Sequence, residues 1–272
     1  MEINKKLIFL LVTHSSYFDI CEIFLKLINK NLNMRNIDLV ITYCGDEINI
    51  DGYKMIYNGK DATLPDCIHN AVNIINSDYY FCFLGDAFFT DLINEHDIFD
   101  LKEKLKFFDL EYCCLIPRKK RVFHKIRLLD EDAPFRLIEY SDLYCHSFIA
   151  FAASKDFIQS EFKEKTTDLD FELKYLKKAE KKGYYDKRGI LTENIFNIHP
   201  GIQKGKWDWR VWRLLNKKTN GAIKTERVIS SWWHSYLKLC IIALQPVMPI
   251  SLRRIVKHII SKLKIGKVVT KY

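Results

Sequence analysis

Proline and glycine are scarce in this sequence, at 6 and 10 of 272 residues. Collagen-like repeats, Pro- or Gly-rich linkers and low-complexity tracts are thereby excluded. No internal repeat is present. Long apolar runs are missing as well. Leu239 to Leu244 falls short of the ~20 residues that a bilayer-spanning helix requires. Leu7 to Val12 is too short for a secretory signal core, and polar Thr13-His14-Ser15-Ser16 follows it without a small-residue cleavage site. The eight cysteines form no C-x-x-C pair and no zinc-type spacing, so the expectation is free thiols in a reducing cytoplasm. G-x-G-x-x-G and G-x-x-x-x-G-K-[ST] are both absent, which removes the usual dinucleotide and P-loop readings.

Acidic residues are missing from one end altogether. From Arg227 to Tyr272 there are nine Lys or Arg and no Asp or Glu. That leaves 34 of the 43 basic residues against all 34 acids in residues 1–226, which are formally neutral. A uniformly basic nucleic-acid binder is not built this way. With hydrophobic residues at 48% and charged residues at 28%, the chain has the composition of a folded protein. The division expected is a globular body, residues 1–226, and a cationic tail, residues 227–272.

The body alternates between strand and helix patterns. Leu7 to Val12 is a short apolar run, and Ser16-x-x-Asp19 has the form of a capping box for a helix with Ile20, Ile23, Phe24, Leu27 and Ile28 on one face. Ile37 to Thr42 and Tyr53 to Tyr57 are the next strands. Pro65 suits the first turn of a helix whose apolar face is Ile68, Ala71, Val72 and Ile75. Tyr79 to Leu84 is apolar throughout, as in a central strand covered on both faces. This order predicts an α/β fold with a mostly parallel central sheet and crossover helices. Tyr112 to Ile116 and Ser147 to Ala153 are further predicted strands, and Asp170 to Lys182 and Asp208 to Lys218 are predicted helices. Ligands of such sheets sit at the carboxyl ends of strands, which points to the segments after Val12, Thr42 and Leu84.

Four stretches could carry chemistry. Gly85-Asp86 follows the best central strand: a carboxylate there can hold a divalent cation against a diphosphate or bond a ribose, and it can equally cap a turn. Thr13 opens the loop before the first helix, whose N-terminus favours anions. Asp170 and Glu172 open a later helix. The helix dipole alone explains carboxylates there, while one of them at a cleft edge could serve as a general base. His199, Lys204 and Lys206 lie in a loop with Gly201 and Gly205, which could clamp a diphosphate or remain a solvated basic loop. Arg118 to Arg121 is taken as a solvated loop.

The tail has its own pattern. Leu252, Ile255, Val256, Ile259, Ile260 and Leu263 recur at helical spacing, with Arg253, Arg254, Lys257, Lys262 and Lys264 between them. Trp232, Trp233 and Tyr236 and the apolar stretch Leu239 to Leu244 come before. The expected partner is an anionic membrane surface, with the protein peripheral on the inner face of the cell membrane and no nucleic acid bound.

Three blocks in order give the chain a resemblance to bacterial GT-A-type glycosyltransferases of the polysaccharide and lipopolysaccharide assembly group. They are LIFLLVTHSSYFDICEIFLKLI (Leu7 to Ile28), the segment from Pro65 through DYYFCFLGDAFF (Asp78 to Phe89), and the span from DFELKYLKKA (Asp170 to Ala179) to HPGIQKGKWDWRVWRLL (His199 to Leu215). The resemblance implies transfer from a nucleotide-sugar donor to a hydroxyl of a cell-surface glycan or lipid-linked precursor. It implies donor binding at Thr13, Gly85 and Asp86, with Lys204 and Lys206 matching a Gly-Lys-Trp block of the group, and a base at Glu172 or Asp170. One departure concerns the cofactor. Ala87 stands where relatives usually carry a second acid, and Phe88 prevents an Asp-x-Asp triplet. A divalent cation (Mn or Mg) therefore has Asp86 with a distant ligand such as His199, or the lysines replace it. The alternatives are a catalytically inactive membrane-bound component of an assembly complex and a sugar nucleotidyltransferase.

Overall fold

The computed structural model describes residues 6–117, 133–139, 146–163, 166–168, 170–172 and 184–244. The basic run 118–121, most of the helix expected over 170–182, and the amphipathic pattern of 252–263 lie outside the described residues.

Seven successive buried residues, Leu7 to Thr13, make β1 (Leu7–His14) a strand covered on both faces. It is followed by α1 (Phe18–Asn31), β2 (Ile37–Cys44), β3 (Lys54–Tyr57), α2 (Leu64–Ile74) and β4 (Tyr79–Leu84). The capping box expected at α1 appears instead at α2. Thr63 accepts from Asp66 N–H, Asp66 returns the bond to Thr63 N–H, and Pro65 occupies the first turn. At α1 the expectation is corrected. The N-cap of α1 is Tyr17, without a side-chain cap bond, and not Ser16. Instead a short 3-10 turn, Ser15–Tyr17, precedes the helix, and the His14 imidazole caps it by accepting from Ser16 N–H at 3.1 Å. An imidazole nitrogen can accept there as a hydroxyl would, and the extra turn moves the helix start to Phe18.

The chain continues with β5 (Ala87–Phe89), α3 (Glu95–Phe107), β6 (Tyr112–Cys114), β7 (Phe135–Glu139), β8 (Ala150–Ser154), α4 (Lys155–Glu161), β9 (Tyr184–Leu191) and β10 (Ile198–Pro200). The main sheet has eight strands in the order β3-β2-β1-β4-β8-β6-β9-β7. β3, β2, β1 and β4 are mutually parallel, β8 runs antiparallel between β4 and β6, and β7 is antiparallel to β9. The α/β class expected from the sequence is the class observed. The chain steps from β1 outward through β2 to β3, then returns to place β4 on the other side of β1. That return is the switch in strand order beside which α/β sheets bind ligands.

Aromatic packing holds the centre. Phe9 lies 5.5 Å from Phe81 and 5.0 Å from Phe83, and Phe83 lies 5.1 Å from Phe89 and 5.9 Å from Phe196. All five rings are fully buried, and each such side chain contributes about 2–3 kcal/mol of transfer free energy. Phe89 belongs to β5 and Phe196 comes just before β10. Their burial against β4 is what pins this short antiparallel pair to the end of the central strand.

By their contacts, the described residues up to Gly201 form one compact unit and those from Ile202 onward a second. This boundary is separate from the change of charge at residue 227. The second unit contains β11 (Ile202–Gln203), β12 (Lys206–Trp207), α5 (Trp209–Lys218) and α6 (Trp232–Leu244). The stretch expected as a loop before a helix is a hairpin. Lys204 and Gly205 have φ of 51° and 75°, the pair of positive angles that a two-residue turn between antiparallel strands requires. Asp208 then caps α5, accepting from Arg210 N–H at 3.0 Å and Val211 N–H at 3.4 Å.

Candidate functional site

The carboxyl ends of β1 and β4 are tied together at the switch point. Gly85 N–H donates to Val12 O at 3.1 Å, and a Cβ at residue 85 would stand 3.0 Å from Thr13 Oγ1. Glycine is thus the residue that lets the β4 end close on the first turn of the chain. Thr13 is 3% exposed, so its side chain is packing and the outer surface of that turn belongs to His14.

Asp86 follows and is half-buried. Its carbonyl accepts from Gly201 N–H at 2.9 Å, and β5 pairs with β10 in the register Ala87 with Pro200 and Phe88 with His199. His199, 113 positions later in sequence, is thereby brought alongside the Asp86 strand end. Ala87, Phe88 and Phe89 are all fully buried. A second acid at residue 87 or 88 would sit in the core, which explains the missing member of an acid pair at this strand end.

Glu172 reaches the same region from a helical turn. Its Oε1 accepts from Phe148 N–H at 3.2 Å, and the next residue, Ile149, accepts through its carbonyl from Leu84 N–H at 2.8 Å. Two backbone steps therefore connect Glu172 to Gly85. The turn is anchored by Phe171, buried among Phe162 at 5.2 Å, Phe148 at 5.9 Å and Tyr112 at 6.0 Å. Asp170 does something else. It is exposed, and its carboxylate accepts from the Thr167 hydroxyl at 2.7 Å while Asp170 N–H donates to Thr167 Oγ1 at 3.1 Å. That is a cap, as the helix-start reading anticipates.

The other residues divide. His199 belongs to the first unit with Asp86, whereas Lys204 and Lys206 are exposed on the hairpin of the second unit. Among the described residues, no three His, Cys, Asp or Glu side chains converge to hold a metal ion. The β5 and β10 pairing puts His199 opposite Phe88 and Gly201 against the Asp86 carbonyl, so Asp86 and His199 lie on adjoining strand ends, two positions out of register.

The segment after Thr42, to which the strand-end rule points without naming a residue, completes the edge. After β2, Gly45 has φ of 94°, and a Cβ there would collide with the Ser15 hydroxyl and stand 2.8 Å from His14 Cε1. Asp46 N–H donates to Ser15 Oγ at 2.9 Å. The exposed Asp46 carboxylate pairs with Lys60 at 2.9 Å, and the hydrogen bond and charge of Lys60 hold it below the usual carboxylate range. The signal was present in the sequence: Gly-Asp ends β2 as it ends β4.

No protein-family model matches the chain, and no curated protein matches it. Among solved structures it is similar to 4-diphosphocytidyl-2C-methyl-D-erythritol synthase from Anaerococcus prevotii, at 11% identity and a TM-score of 0.37, over 70% of this chain and 88% of that one. It is also similar to CMP:2-keto-3-deoxy-manno-octonic acid synthetase complexed with CTP, at 13% identity and a TM-score of 0.46, over 79% of this chain and 99% of that one. At these identities and scores the likeness is distant and assigns no activity to this chain. What the structure defines is an α/β protein whose strand order switches beside β1 and whose β4 ends there in Gly85 and Asp86.

Proposed function

We propose that the protein is a glycosyltransferase that moves a sugar from a nucleotide-sugar donor to a hydroxyl of a cell-surface glycan or lipid-linked precursor at the cytoplasmic face of a membrane. The observation that supports this reading is the link from Glu172 through Phe148 and Ile149 to Leu84 and Gly85; in it Glu172 would act as the general base and Asp86 would orient the donor. The acceptor oxygen bonds to the anomeric carbon as the bond from that carbon to the phosphate oxygen breaks. The acceptor proton passes to Glu172, and the nucleoside phosphate leaves with the electron pair. Asp86 and His199 are the residues that would hold Mn2+ or Mg2+, which would screen the diphosphate charge. Lys204 and Lys206 lie on the hairpin of the second unit, and Lys204→Ala with Lys206→Ala reads through kcat whether transfer draws on their charge.

A second reading uses the same strand end. A single carboxylate beside the switch point also fits a sugar nucleotidyltransferase, in which a sugar oxygen attacks the α-phosphate of a nucleoside triphosphate. The products separate the two. Incubation with a panel of sugar nucleotides and acceptor glycans, followed by phosphorus NMR, is expected to show nucleoside mono- or diphosphate released with transfer. Pyrophosphate formed from a nucleoside triphosphate and a free sugar would replace the first reading with the second. Calorimetry showing no affinity for any sugar nucleotide, with or without manganese, would support an inactive assembly component instead.

A further inference from the structure

Large aromatic side chains stand in water on the second unit. Along α6, Trp232, Trp233, Tyr236 and Leu239 are 56%, 57%, 47% and 37% exposed, while Ser235 is buried at 2%. Ser235 fixes the inward face: its hydroxyl accepts from Trp209 N–H at 3.2 Å and lies 3.1 Å from Ser230 Oγ. At 100° per residue, positions 239, 232 and 236 fall within about 60° of one another on the side next to Ser235, and 233 lies about 60° further round, nearly opposite Ser235; all four are exposed. The rings touch one another. Trp232 lies 5.8 Å from Trp233 and 6.3 Å from Tyr236, and Tyr236 lies 6.1 Å from Trp209. At the edge, the Arg213 guanidinium sits 5.1 Å over Trp209.

Leaving two indoles and a phenol in water costs the free energy that their burial would release, and contiguous patches of this kind mark contact surfaces. The chemistry of the patch selects its partner. Trp and Tyr carry an apolar body and a polar N–H or O–H, the combination that settles at the boundary between headgroups and acyl chains. The segment 227–272, in which α6 lies, has nine cations and no acid, so it is complementary to an anionic leaflet, and two copies of it repel each other. No described helix is long and apolar enough to cross a membrane. The 13 residues of α6 measure about 20 Å, short of the ~30 Å hydrocarbon core. We propose that the exposed face of α6, formed by Trp232, Trp233, Tyr236 and Leu239, is a membrane-docking surface that lies in the interface of an anionic bilayer. The aromatic face supplies insertion and the acid-free segment supplies attraction. This deepens the proposed function by naming how the protein reaches a membrane-borne acceptor, and lipid binding is read without turnover, so either proposal can fail alone.

The test is flotation of the full-length protein with vesicles of phosphatidylcholine, with and without phosphatidylglycerol. Wild type is expected to float with the anionic vesicles, and brominated lipid in them is expected to quench its tryptophan emission. Trp232→Ala/Trp233→Ala/Tyr236→Ala, with circular dichroism matching wild type, is expected to partition on the order of tenfold less or weaker still. Three results overturn the docking surface. One is a triple variant that floats like wild type. Another is wild-type emission untouched by brominated lipid, which would leave the cations alone to bind. The last is a wild type that stays unbound and self-associates through this face in sedimentation.

Discussion

Gly85 lies so close to Thr13 that any side chain at residue 85 would stand 3.0 Å from the Thr13 hydroxyl oxygen. This contact joins the end of β4 to the end of β1 at the switch in strand order, and Asp86 is the next residue. Replacing Gly85 by Ala forces Thr13 to give by a few tenths of an ångström, with an expected cost of about 1–3 kcal/mol. Thr13→Ala removes the obstructing hydroxyl. The double variant is therefore expected to be more stable than the two single costs added together, as chemical denaturation of all four proteins can check.

Gly45 is a harsher case. Its φ of 94° and its contact with Ser15 and His14 act together. Gly45→Ala is expected to destabilise by about 2–4 kcal/mol, combining backbone strain with overpacking. Gly59→Ala is the internal control, because its φ of 88° carries the same backbone penalty with no atom within 4 Å of the added Cβ. The larger loss of melting temperature is expected at residue 45.

His146 sets a pH dependence. Its ring is buried, stacked on Tyr112 at 5.3 Å, and burial together with the nearby Arg188 charge pushes its pKa well below the ordinary value. The folded protein keeps the imidazole neutral, whereas the unfolded chain takes up a proton below about pH 6.5. Stability contributed by the neutral ring is complete above that pH and is lost as pH falls, by up to about 1.4 kcal/mol per pH unit. Denaturation of wild type and His146→Phe at pH 7.5 and about one unit below pH 6.5 measures it, and the variant is expected to lose the smaller share.

Asp170 and Glu172 are two residues apart and are expected to respond differently. Asp170→Ala removes the carboxylate that accepts from the Thr167 hydroxyl but leaves the Thr167 cap on the residue 170 N–H, and should cost about 0.5–1 kcal/mol of stability with kcat little changed. Glu172→Gln keeps an oxygen to accept from Phe148 N–H but cannot take a proton. Its kcat is expected to fall on the order of a hundredfold or more with donor affinity retained. Steady-state kinetics alongside calorimetry of the donor separates these effects.

Much of this architecture is legible in the sequence, because Leu7 to Val12 and Tyr79 to Leu84 are apolar in the way that only doubly covered strands are, and Pro65 marks a helix start. Gly85-Asp86 stands out for the same reason. The β5 and β10 pair does not, since three-residue strands that start 111 positions apart leave no periodic signal and are fixed by where Phe89 and Phe196 pack. The His14 cap is equally hidden, because an imidazole is not a residue that sequence rules assign to helix starts. The Lys204-Gly205 turn could have been recognised: a glycine between Gln203-Lys204 and Lys206-Trp207 is a hairpin signal, overlooked because both strands contain only two residues.

Sugar transfer and nucleotide release by wild type and Asp86→Asn, compared at saturating acceptor, test the central claim most directly. The account predicts donor-dependent turnover in wild type and a loss of about a hundredfold or more in kcat/KM in the variant, since removing one orienting or charge-stabilising group costs about 3 kcal/mol of transition-state stabilisation. Equal turnover by a folded Asp86→Asn would contradict it, because the strand end beside Thr13 would then hold no part of the reaction.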